Sequence, residues 1–132
     1  MEKVQINFAH MCDLAFLSQG GKANVIGIFK AIFSNNFPTL HPKFSVITSI
    51  TMIDATGNHR ESIKIIREED KKEIFPEINF DFNLENNKEK EKEINLISDI
   101  INVQFEKPGK YSIKISLDGE NVHSLPFEVV KS

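Results

Sequence analysis

F-E-K-P-G-K-Y-S-I-K-I-S-L-D-G-E-N-V-H-S-L-P-F-E-V-V, residues 105–130, is the stretch whose reading decides the fold. Pro108-Gly109 makes a turn, since proline presets φ and glycine admits the positive φ that many turns need. Tyr111, Ile113, Ile115 and Leu117 then alternate with Ser112, Lys114, Ser116 and Asp118. A period of two gathers one set on a single face only in a strand. Asp118-Gly119 is a hairpin signal, and Val122, Phe127 and Val129 are the apolar positions of the return strand. Pro126 lacks an amide hydrogen, which predicts an edge strand or a bulge. A hairpin of this kind leaves its apolar face wet unless a second sheet covers it.

The rest of the chain is expected to supply that sheet. Leu96 to Phe105 reads as a strand with Ile97, Ile101, Val103 and Phe105 of one parity. Glu85 to Glu93 stacks like charges at i, i+4 as a helix, so it reads as a solvated loop whose lysines discourage edge pairing. Ile74 to Leu84 alternates, with Ile74, Ile78, Phe80, Phe82 and Leu84 inward and Pro76 holding its start at an edge. Glu68 to Glu73 is a charged turn. Phe44 to Ile53 and His59 to Arg67 flank the glycine-containing loop 54–58 as a hairpin.

Gln5 to Leu17 and Asn24 to Phe33, joined by Ser18-Gln19-Gly20-Gly21-Lys22, form a further hairpin. Both are apolar on both parities, as in a strand covered on two faces or one carrying a bulge. A helical reading of M-C-D-L-A-F-L (residues 11–17) competes there. Gly27 inside the second of these strands predicts a bulge or a close backbone approach. Eight short strands at even spacing predict an all-β antiparallel sandwich, immunoglobulin-like, as a single domain over residues 1–132.

Composition narrows the functional classes. A net charge of −3, from 16 basic and 19 acidic residues, lacks the basic face that nucleic acid or an anionic membrane surface selects. No apolar run approaches the ~20 residues of a membrane span. The N-terminus lacks the layout of a signal peptide. The single cysteine, Cys12, rules out an intramolecular disulfide framework. A cytoplasmic protein is the expectation. Eleven phenylalanines against one tyrosine and no tryptophan suggest aromatics committed to a core.

The chemistry-bearing residues do not assemble in the sequence. On a strand His10 and Cys12 share a face and Asp13 points away, so the three do not converge as a nucleophile, its base and an orienting group. The expectation for Cys12 is a buried thiol among Phe8, Leu14 and Phe16. A small thiol enzyme centred on it is the weakest of the alternatives. His41, His59 and His123 lie in or beside predicted loops, without metal-ligand spacing. Glu68-Glu69-Asp70 sits beside Lys71 and Lys72 as a charged turn, not as a shielded acid/base pair. Gly20-Gly21-Lys22 lacks the phosphate-loop frame. Neither catalysis nor a cofactor nor a metal is expected.

Ser34 to Lys43 reads as the longest loop of the first half and as the candidate binding surface. Asn35, Asn36, Thr39 and His41 offer polar contacts around Phe37 and Leu40, and loops on a rigid β scaffold commonly carry recognition. The competing reading has Phe37 and Leu40 closing the open end of the sandwich. An edge strand offers a second route, by adding an extended partner segment. The functional expectation is a non-catalytic protein-interaction module. Its alternative is a structural subunit of a homo-oligomer or larger assembly.

The segments G-G-K-A-N-V-I-G-I-F (residues 20–29) and F-P-T-L-H-P-K-F (residues 37–44), with Pro108, Gly109, Tyr111, Asp118 and Gly119, resemble a bacterial and archaeal family of uncharacterised small proteins, a domain of unknown function. The family pattern runs G-K-L-N-V-I-G, then F-P…H-P, then P-G-x-Y…D-G; this chain has Ala23 at the leucine position. The resemblance spans nearly the whole chain and implies an immunoglobulin-like sandwich. It brings no activity or binding residue with it.

Overall fold

The closing hairpin forms as its sequence predicts. The computed structural model describes residues 3–132, and in it β9 (Gly109–Leu117) pairs antiparallel with β10 (Glu120–Lys131). Asp118 and Gly119 both take positive φ, 51° and 85°. Two such residues give the turn whose twist matches its strands. Ahead of them come β1 (Lys3–Ser18), β2 (Lys22–Ile28), β3 (Ala31–Ser34), β4 (Thr39–Ile53), β5 (Asn58–Arg67), β6 (Lys72–Glu73), β7 (Ile78–Asn83) and β8 (Glu91–Phe105). One sheet runs β2-β1-β4-β8, the other β3-β10-β9-β5-β6 with β7 also paired to β5. The fold is an all-β sandwich of two sheets.

Alternation along the strands fills the space between the layers. Phe44, Val46, Ile100, Val103 and Phe105 of the first sheet meet Ile63, Ile65, Tyr111, Ile113, Ile115 and Phe127 of the second. Tyr111 lies 5.1 Å from Phe105 and 5.7 Å from Phe127, centroid to centroid. Its hydroxyl donates to the Lys107 carbonyl at 2.6 Å, so the buried polar tip is satisfied. A second cluster at the other end joins Ile50, Met52, Leu84, Leu96 and Leu117.

Several expectations are corrected. The chain from 24 to 33 is two strands, not one: it leaves the first sheet after Ile28 and re-enters the second as β3, which pairs parallel with β10. The sandwich is therefore not purely antiparallel, and the described residues hold ten strands. The charged run is loop only to Lys90, because Glu91, Lys92 and Glu93 pair with Ile53, Met52 and Thr51. Only Ile78–Asn83 of the 74–84 segment is strand, and Phe80 stays exposed. In β8 the inward parity changes at Asn102 (φ 57°), so Val103 and Phe105 face the core while Ile101 is exposed. The strand reading of residues 11–17, by contrast, holds against its helical competitor.

The hairpin of β1 and β2 makes a corner. Residues up to Cys12 pair with β4, and those from Cys12 onward pair with β2 instead. Beyond Cys12 this arm folds over the outer face of the first sheet. There Ala15, Ala23 and Val25 cover Cys12, Ile47, Phe8 and Ile97, and Asn95 of β8 donates to the Gly21 carbonyl at the arm's tip. The arm thus covers the outer side of β1 and β4 around Cys12 and Ile47, while Leu14, Phe16 and Leu17 remain exposed on its own outer side.

Candidate functional site

The corner leaves a length of β1 hydrogen-bonded to a strand on one side only, with β10 packed across from it. Residues 3–10 pair with β4 on one side only, since β2 joins at Cys12. Across the open side of the sandwich, residues 120–127 of β10 pair only with β9, since β3 joins at Glu128. The Phe29-Lys30 crossover closes the top of this seam. The Phe29 amide donates to the Met11 carbonyl at 3.1 Å, and the Glu128 amide donates to the Lys30 carbonyl at 2.9 Å. Below it lies a cleft of about 430 Å³, walled by residues 9–11 and 123–126 and roofed by residues 28–30.

The seam is polar at its backbone and mixed at its side chains. His10, Lys30 and His123 line the cleft with Met11, Phe29 and Leu125, and no carboxylate does. His10 stacks on Phe8 at 5.6 Å. The two strands differ as edges. β10 has a register shift between Asn121 and His123 and carries Pro126, both of which hinder addition of a strand. β1 carries one shift, between Ile6 and Phe8, and Lys3 is the only Lys, Arg, Asp or Glu along residues 3–10. Both stretches therefore have spare backbone donors and acceptors, and the one on β1 holds no proline.

A second concavity, of about 550 Å³, is lined by Asn58, His59, Arg60, Asp81, Phe82, Asn83 and Asp118. It groups a histidine and carboxylates, yet each is engaged. His59 Nδ1 lies 2.7 Å from Asp118 Oδ2 and its Nε2 lies 2.8 Å from the Thr56 carbonyl. A carbonyl only accepts, so Nε2 donates there and is not offered to a substrate. Asp118 also accepts from the Arg60 amide, and Arg60 forks onto Asp81. The arrangement ties β5 to the β9–β10 turn.

Cys12 is fully buried, and burial raises its pKa. Its neighbours are Ala15, Ile47, Phe8, Val25 and Ile97. Leu14 and Phe16, expected beside it, are exposed on the outer side of the arm. Asp13 points away from the thiol, as the parity requires, and lies against Gly27.

The six residues expected to form one binding loop are divided. Thr39, Leu40 and His41 are strand residues of β4 that pair with Phe105, Gln104 and Val103. Only 35–38 remain a turn, held by the Ser34 hydroxyl to the Asn36 carbonyl. Phe37 packs on the main core cluster. His41 lies between Phe29 and Phe44, and its burial lowers its pKa. Asn35, Asn36 and Leu40 are exposed, Leu40 at 55%. The segment is thus a short turn and a strand entry with one side chain on the core, not one continuous loop.

Reading the sequence strand by strand does not find the seam, because an unpaired edge depends on which strands meet. Pro126 and the paired apolar parities of β1 were its only local signals. No group of three or more metal-binding side chains occurs among the described residues, and no helix among them is long and apolar enough to cross a membrane. Residues 7–130 match the family model described as "Family of unknown function (DUF6941)". No curated protein matches the chain.

Proposed function

We propose a function for this chain, which belongs to the DUF6941 family: it is a non-catalytic recognition module that takes up an extended segment of a partner protein along residues 3–10 of β1. The observation that carries this reading is the one-sided pairing of that stretch beside a cleft. An added strand satisfies the spare amides and carbonyls, and pockets beside the edge read alternate side chains. The cleft gives room for one apolar side chain of the segment, with Lys30 and the histidines at its rim. Because the seam is recessed between two sheets, a flexible segment enters it more readily than the edge of a folded domain.

The absence of catalysis is part of the proposal. It is supported by the burial of Cys12 and by the engagement of both His59 nitrogens. The immunoglobulin-like description is supported by the two-sheet sandwich and by the Tyr111 hydroxyl reaching back to the Lys107 carbonyl. A cytoplasmic, prokaryotic setting belongs to the same reading, and a single cysteine with no disulfide suits a reducing compartment.

The test is to select binders from a random peptide library and follow amide exchange in the complex. The expected result is slowed exchange at alternate residues of 3–10. Peptides that bind while protecting other strands, or a library that yields no binder, overturn the proposal.

A further inference from the structure

The seam along β1 is open at one end and shut at the other. The Phe29-Lys30 crossover shuts it: the Phe29 amide donates to the Met11 carbonyl, and the Glu128 amide donates to the Lys30 carbonyl. The backbone position after His10 on this edge is therefore already filled. A segment lying beside residues 3–10 either turns out of the sandwich at the crossover or stops there. β1 and β10 both run toward this shut end, since Met11 and Glu128 meet the crossover from strands that begin at Lys3 and Glu120.

The polar side chains at the shut end are donors. Lys30, His10 and His123 line the cleft beneath the crossover, and no carboxylate among the described residues does. Lys30 is exposed and enters no ion pair among the described residues. Neither His10 nor His123 enters a hydrogen bond among them, and an imidazole offers an N–H in either tautomer. The carboxylates beyond Lys30 belong to a separate concavity, where Glu128 and Glu68 lie with Lys110 and Lys114. Glu68 is engaged there by Lys71 and the Ser112 hydroxyl. Three uncommitted donors thus converge on a cleft whose other walls, Met11, Phe29 and Leu125, are apolar.

We propose that the segment taken up along β1 is the C-terminal tail of a partner protein, running parallel to β1, with its last side chain in the cleft and its terminal carboxylate held by Lys30, His10 and His123. This rests on the recognition reading given above and names what the seam recognises. Charge selects the ligand: a carboxylate answers donors that have no acceptor of their own. The shut end selects a chain end over an internal acidic side chain, because a tail that stops at the crossover needs no turn there. Direction follows from the same charges, since an antiparallel tail would bring its ammonium group to Lys30. A parallel strand satisfies the edge of β1 through evenly spaced bonds. Capture of a terminal carboxylate by convergent N–H groups is a general mode of peptide recognition.

Two pools of short random peptides, identical except that one ends in a free acid and the other in a carboxamide, put this to the test. Binders are ranked by affinity and mapped by amide exchange of the protein. The expected result is a set of acid-pool binders that slow exchange along residues 3–10 and lose affinity about tenfold when remade as amides, as the loss of charge-assisted hydrogen bonds entails. Lys30→Ala should weaken the acid forms by about the same factor and leave the amide forms unchanged. Acid and amide forms that bind equally along residues 3–10, or binders whose affinity follows an internal Asp or Glu, overturn the tail and leave uptake of a segment standing. No binder in either pool, or protection only on other strands, overturns both. The acid-against-amide comparison uses the unaltered protein, so a misfolded Lys30→Ala does not leave the question open.

Discussion

The side chain of Asp13 lies over the backbone of Gly27, so closely that a β-carbon on Gly27 would sit 2.3 Å from Asp13 Oδ2. Gly27 also holds φ at +71°, in the region where side chains are costly. The contact is at the root of the arm, opposite the point where β1 leaves β4. Gly27→Ala is therefore expected to destabilise the protein by about 2 kcal/mol, combining the clash with the left-handed backbone. Asp13→Ala on top of it should restore the part due to the carboxylate and leave about 1 kcal/mol of backbone cost. Denaturant midpoints of the three variants check this. Equal stability of Gly27→Ala and wild type would remove the close approach from the account.

Cys12 reports on the same hinge. With its thiol fully buried and its pKa raised by burial, it should react slowly with a thiol reagent in native protein at neutral pH, since the thiolate is the reactive form. Reaction should be limited by lifting of the arm, and Gly27→Ala should speed it several-fold. Complete labelling within seconds, with the fold intact, would mean that the arm does not cover the thiol.

Glu61 is 2% exposed on the inner face of β5. Burial raises its pKa from 4.5 to about 7, and the Thr48 hydroxyl opposite tempers the rise. The folded state then holds a proton that the unfolded chain has lost, so stability falls as pH rises from about 4.5 through about 7. The loss amounts to about 3 kcal/mol. Partly buried His41, with its lowered pKa, works in the opposite sense, losing stability as pH falls. Subtracting the pH profile of Glu61→Gln from that of wild type isolates the carboxyl. A flat difference between pH 4.5 and 7 would contradict its burial as an acid.

Phe37 and Leu40 separate the roles once expected of one loop. Phe37 packs on the core and Leu40 is 55% exposed. Phe37→Ala is expected to cost about 2 kcal/mol, toward the low end of core aromatic truncations because the ring is only half buried. Leu40→Ala should stay within about 0.5 kcal/mol of wild type. Thermal melts of the two variants decide; the reverse order would return Phe37 to the surface.

Local patterns carry far in this chain where strand chemistry is local. The Tyr111–Leu117 alternation, the Asp118-Gly119 turn and the hairpin about Gly20-Gly21 follow from period and positive φ, and they needed no knowledge of neighbours. The break after Ile28 was not legible, because I-G-I-F-K-A-I-F is apolar on either side of the crossover and nothing in it says which sheet each half joins. Residues 39–43, which follow Pro38 and contain Pro42, read as part of the 34–43 loop, but pairing with β8 makes them strand. The candidate site went the same way: its residues are strands by period, while the vacant side of β1 has no local signature.

Alternation of side chains, through the burial it demands, was enough to specify an all-β sandwich and to bury Phe44, Phe105, Phe127 and Tyr111, while Phe16, Phe33 and Phe80 stay exposed. Only the tertiary structure decided which backbone edges stay unpaired, that the arm folds back over Cys12, and that Phe37 packs partly against the core. The reason is physical: a residue's face is set by its own strand's period, whereas a strand's partner is set by competition among all strands for the same hydrogen-bonding edges.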